Sequence, residues 1–63
     1  MKDTIDLAAK TIRNDLAQGD ISDLQRIGLM HLHDLIALTA YNSGESQETR
    51  ECALKALATL PKI

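Results

Sequence analysis

The strongest constraint on this fold is a central segment, residues 24–41, in which apolar side chains surround most of a helix. A first apolar face is formed by Leu24, Ile27, Leu35 and Leu38, with His31 between them and Gly28 beside them. A second apolar face is formed by Leu29, Leu32 and Ile36. Because a helix that is apolar on most of its circumference must be buried on most of it, this segment needs packing partners on two sides.

The rest of the chain offers little material with which to cover both faces. It has 63 residues in all, with neither Trp nor Phe and a single Tyr. One domain of this size, residues 1–63, buries only about 60% of its unfolded surface, and each buried Leu contributes roughly 1.5–3 kcal/mol. We therefore expect an all-α chain that pairs as a homodimer through this helix, since two-fold dimers are the commonest oligomers. The alternative is a monomeric bundle whose outer helices cover both faces.

Start and stop signals divide the chain into three predicted helices, at about residues 4–18, 22–41 and 46–60. The composition supports them, because Leu, Ala and Ile dominate while Gly and Pro are rare. Asp3 or Thr4 is the expected N-cap of the first helix.

Local motifs mark the two connections between these helices. Gly19 stands where a left-handed residue would end the first helix. Ser22 and Gln25 have the spacing of a capping box, and the run 42–44, Asn-Ser-Gly, is typical of a turn.

Gly28 lies inside the second helix, where it lowers helix propensity. We expect close backbone packing at Gly28, with a kink as the alternative.

The two outer helices each show one narrow apolar stripe. In the first helix the stripe is formed by Ile5, Ala8, Ala9, Ile12 and Leu16. In the third helix it is formed by Ala53, Leu54, Leu57 and Leu60. Leu7 lies roughly opposite the first stripe, so the bundle does not obviously use it.

These patterns predict two binding surfaces. The dimer interface is predicted at Leu24, Ile27, His31, Leu35 and Leu38. The surface for a partner protein is predicted at Leu7, Leu29, Leu32 and Ile36. His31 is interpreted as a neutral side chain that is hydrogen-bonded to a carbonyl, to Thr39 or to Asp34. The alternative is a polar pair between His31 and its own symmetry mate, which would fix the register of two helices.

The composition argues against other function classes. Seven Lys and Arg stand against nine Asp and Glu, and the basic residues are scattered, so nucleic acid is not an expected partner. The chain has no Gly-rich phosphate loop, no catalytic triad context and no zinc spacing, so we expect no enzyme, no cofactor and no metal site. Cys52 is interpreted as a small packing residue. The absence of a signal peptide and of an apolar run of about 20 residues predicts a cytoplasmic protein without a membrane partner.

The predicted function is that of a small regulatory or adaptor protein, which binds another protein through an apolar helical face and inhibits it by covering a surface. A compact chain of this kind fits a phage- or plasmid-type regulator. The alternative is a short helix-turn-helix-like nucleic-acid-binding regulator, because a tight turn at residues 18–20 joins two helices. Gln25 and Arg26 would then contact the nucleic acid, although Asp20 and Asp23 lie beside them.

Overall fold

The computed structural model describes residues 2–63 and contains three α-helices: α1 (Lys2–Ala17), α2 (Asp23–Ala40) and α3 (Gln47–Ala58). Each helix packs against the other two, and the described part of the chain measures 36 × 17 × 15 Å. The predicted all-α architecture of three helices is confirmed, with no strand among these residues. The N-cap predicted at Asp3 or Thr4 is wrong, because both residues already lie within α1. Asp3 instead lies in the first turn, where the helix dipole favours a negative charge.

The connection between α1 and α2 follows the predicted local signals. Gly19 has φ +75°, a left-handed conformation that Gly adopts without a Cβ clash, and its N–H donates to the carbonyl of Leu16 at 3.1 Å. Ser22 then caps α2 through a reciprocal pair of hydrogen bonds. The Gln25 N–H donates to Ser22 Oγ at 3.1 Å, and the Ser22 N–H donates to Gln25 Oε1 at 2.9 Å. The capping box therefore satisfies two amide groups at the start of α2.

Replacing Ser22 with alanine is expected to lower the free energy of unfolding by about 0.5–2 kcal/mol, because the Gln25 N–H loses its acceptor. Urea denaturation followed by circular dichroism measures this change. Ser43→Ala is the matched control, since Ser43 is an exposed serine in the turn outside both caps. Equal losses for the two variants would show that the Ser22 cap does not stabilise α2.

The connection between α2 and α3 also uses side-chain caps. Asn42 Oδ1 accepts a hydrogen bond from the Gly44 N–H at 2.9 Å, and the Asn42 carbonyl accepts one from the Glu45 N–H at 3.1 Å. Ser46 is the N-cap of α3, and its Oγ accepts a hydrogen bond from the Thr49 N–H at 3.2 Å. The predicted turn and the predicted start of the third helix near residue 46 are both confirmed.

The core of the bundle is small and half of its residues are alanines. The buried residues are Ile5, Ala9, Ile12, Leu29, Ile36, Ala40, Ala53 and Ala56. The predicted stripe of the first helix is confirmed, since Ile5, Ala9 and Ile12 are buried and the other two members pack against the core. The predicted stripe of the third helix is confirmed except at Leu54, which is 43% exposed, since Ala53 is buried and Leu57 and Leu60 pack against the core. Ala56, which was not predicted, is also buried, and it lies three residues from Ala53 and therefore on the same side of the helix.

Candidate protein-binding surface

The two apolar faces of α2 have opposite environments in the structure. Leu29 and Ile36 are each only 3% exposed, because α1 and α3 pack over this side of the helix. On the other side, Leu24 is 79%, Leu35 60% and Leu38 67% exposed. The bundle therefore buries one apolar face of α2 and leaves the other uncovered.

We call this uncovered side the outer face of α2. It is formed by six exposed residues: Leu24, Ile27, Gly28, His31, Leu35 and Leu38. It runs along almost the whole helix, since α2 begins at Asp23 and ends at Ala40. Isolated apolar side chains are common on protein surfaces, whereas several in one row on a helix form a candidate contact surface. All five residues predicted for the dimer interface lie on this face, and their pairing with a second copy stays a prediction.

The structure buries most of the predicted partner surface within the bundle. Leu29 and Ile36 lie in the core, and Leu32 is partly buried and packs against it. These three side chains are therefore unavailable to a partner in the folded chain. The physical reason is that the stripes of α1 and α3 cover this face of α2 rather than the outer face. Leu7 is the exception, since it is 66% exposed on α1.

Gly28 has no packing role within the chain. A Cβ atom added at Gly28 would meet nothing within 4 Å, so the close packing expected at this residue does not occur inside the bundle. The helix also continues through Gly28 from Asp23 to Ala40. The glycine therefore leaves a stretch of bare backbone in the middle of the outer face.

Replacing Gly28 with alanine is expected to raise the free energy of unfolding of the dilute chain by up to about 1 kcal/mol, because the alanine improves helix propensity without a clash. Urea denaturation of the variant measures this gain. Gly19→Ala is the contrasting control, because φ +75° at Gly19 strains any residue with a Cβ and should lower stability by about 1 kcal/mol. A loss of stability for Gly28→Ala would mean that Gly28 has a packing role within the bundle.

His31 lies at the middle of the outer face and is exposed. Among residues 2–63, His31 forms none of the side-chain hydrogen bonds predicted for it, to a carbonyl, to Thr39 or to Asp34, and the Thr39 hydroxyl donates to the carbonyl of Leu35 at 2.9 Å. His31 is therefore a polar group surrounded on its own helix by exposed apolar side chains.

A second surface feature is an open groove of about 510 Å³ between α1 and α3. Its walls carry charges of both signs, and its floor contains Cys52, Ala9 and Ala56. Cys52 Sγ lies 3.9 Å from Asp6 Oδ1, and Arg13 Nη1 donates to Thr59 Oγ1 at 2.8 Å. The polar contact of Cys52 is thus a carboxylate rather than the cation or base that activates a thiol. The groove is thus an open surface with charges of both signs.

The chain matches no family model, no curated protein and no solved structure.

Among residues 2–63, no three His, Cys, Asp or Glu side chains lie close enough together to hold a metal ion. None of the three helices combines the length with the hydropathy that crossing a bilayer requires. Of the two residues predicted to contact nucleic acid in the alternative function, Gln25 accepts a hydrogen bond from the Ser22 N–H in the cap and Arg26 is exposed.

Proposed function

We propose that this chain is a small, non-enzymatic, cytoplasmic regulatory protein that acts by binding other protein chains, and that it is a homodimer formed through the outer face of α2. A single observation carries the proposal. The bundle buries one apolar face of α2 and leaves Leu24, Leu35 and Leu38 each at least 60% exposed in one row. Such a row is a typical contact surface for a second helix.

The amount of exposed apolar surface supports a second copy as the occupant. Leu24, Ile27, Leu35 and Leu38 together expose the equivalent of about two and a half whole side chains. At roughly 1.5–3 kcal/mol for each side chain, covering them contributes about 4–8 kcal/mol per copy. A homodimer covers two such faces at once, which doubles the gain. The loss of translational and rotational freedom on association costs about 4–15 kcal/mol, so the doubled gain is of the size that association needs.

The partner protein contacts a different surface in this proposal. Leu7 is the one member of the predicted partner surface that is exposed, at 66%, and it lies on α1 rather than on the outer face of α2. A homodimer carries two copies of Leu7, one on each α1. Binding of a target protein there would cover a surface of the target without chemistry, which is the mode of action expected for an inhibitor or adaptor.

Sedimentation equilibrium of the wild-type chain tests the homodimer. The expected mass at high concentration is twice the 6.9 kDa of one copy, falling towards one copy on dilution. A mass of one copy at every concentration would contradict the proposal, because the outer face of α2 would then be stable in water by itself.

A further inference from the structure

The residues on the outer face of α2 are arranged symmetrically about His31. Leu24 precedes His31 by seven residues and Leu38 follows it by seven. Ile27 precedes it by four residues and Leu35 follows it by four. All five side chains are exposed on the same side of the helix. Read in either direction from His31, the outer face therefore presents large apolar side chains at the same distances.

The spacing of these side chains stays the same when the direction of the helix is reversed. It does not stay the same when the helix is shifted along its axis. A shift of seven residues places Ile27 on Asp34, and the opposite shift places Leu35 on Gly28. Two helices that pair in parallel along their length prefer large apolar side chains at two positions of every seven. Only one of the two positions repeats here, at Leu24, His31 and Leu38, and its middle member is polar. Two helices that pair in antiparallel need a pattern that survives reversal, and this face has it.

We propose that two copies pair through antiparallel α2 helices, related by a two-fold axis that passes beside His31. This arrangement rests on the homodimer of the proposed function and specifies its geometry. Since residues rise about 1.5 Å each along a helix, Leu24 lies level with Leu38 of the second copy, about 10 Å from the axis. Ile27 and Leu35 of the second copy lie level about 6 Å from it. Every large apolar residue of the outer face then faces another one, as an isologous interface requires.

Two further features of the structure agree with this arrangement. Gly28 lies three residues from the axis with nothing near it, so its bare backbone allows the second helix to approach closely near the crossing point. The antiparallel order also places the partially positive N-terminus of each α2 beside the partially negative C-terminus of the other. The two His31 side chains meet at the axis, where a pair of polar groups fixes the register of the helices.

Cysteine cross-linking tests the orientation directly. The single natural thiol is first removed by Cys52→Ser, and Leu24→Cys and Leu38→Cys are then made in separate chains. With a short bismaleimide reagent, we expect a covalent dimer from a mixture of the two chains. Neither chain alone should cross-link, because two copies of residue 24 would lie about 21 Å apart along an antiparallel pair. Lys10→Cys, an exposed position on α1, measures the background from random collision.

The outcomes separate the orientation from the homodimer itself. Cross-linking of each variant with itself would show a parallel pair and overturn the inference while leaving the homodimer intact. Cross-linking at the background level in every mixture, from chains that sediment as dimers, would likewise overturn only the arrangement. A wild-type chain that sediments as one copy would overturn both.

Isotope-filtered NMR on a mixture of labelled and unlabelled wild-type chains makes the test independent of the variants. Contacts between the methyl groups of Leu24 in one copy and Leu38 in the other are expected. Contacts from Leu24 to Leu24 across the interface would contradict the antiparallel order.

Discussion

Leu29→Asp is expected to unfold the chain. Leu29 is only 3% exposed, so the variant loses about 1.5–3 kcal/mol of apolar burial and places a carboxylate in a core without a partner for it. The combined loss is on the order of 4 kcal/mol or more. Domains of this size rarely have more than about 3–5 kcal/mol of stability in total. Circular dichroism at 25 °C should therefore show loss of most helical signal.

Leu35→Asp is the matched control, because it makes the same substitution on the same helix six residues later. Leu35 is 60% exposed, so its carboxylate stays in water and the cost to the dilute chain should be about 1 kcal/mol. We expect a folded chain with helical signal close to that of the wild type. If Leu35→Asp unfolds the chain and Leu29→Asp does not, α2 is rotated so that the other apolar face lies in the core.

The contrast between these two leucines also shows where sequence-based prediction stops. Gly19, Ser22 and Ser46 act through bonds to residues within three or four positions, so their roles at the helix ends follow from local spacing. The stripe of the first helix is equally local, because its remaining surface is polar apart from Leu7 and Ala17. These features were predictable because no other part of the chain decides them.

The choice between the two faces of α2 is not local. Leu29 and Leu35 are the same residue type in the same helix, and both faces have enough apolar side chains to form a core. The choice depends on how α1 and α3 cross α2. Small side chains allow helices to approach closely, and Ala53 of α3 is fully buried in the core. The shortage of covering residues was enough to predict that one face of α2 is left uncovered. Which of the two faces is buried depends on the tertiary structure.

Leu38→Asp and Leu7→Asp separate self-association from partner binding. The two leucines are 67% and 66% exposed, so neither substitution should unfold the chain and any difference reflects their positions. In Leu38→Asp, both copies lose apolar burial and each places a carboxylate in the interface. This loss corresponds to about 2.7 kcal/mol or more, a 100-fold or greater rise in the dissociation constant of the homodimer. Leu7→Asp should leave that constant unchanged within about threefold, because Leu7 lies on α1.

In capture of proteins from the native cell, Leu7→Asp should lose more of the partner proteins than Leu38→Asp does. Leu7→Asp is expected to lose partner proteins that the wild-type chain retains, while still sedimenting as a dimer. Leu38→Asp is expected to sediment as one copy and to retain them, more weakly, since one copy offers one Leu7 rather than two. If Leu38→Asp instead loses the same partners while Leu7→Asp keeps them, the outer face of α2 binds the target and not a second copy. The proposal of a homodimer with a separate partner surface would then be wrong.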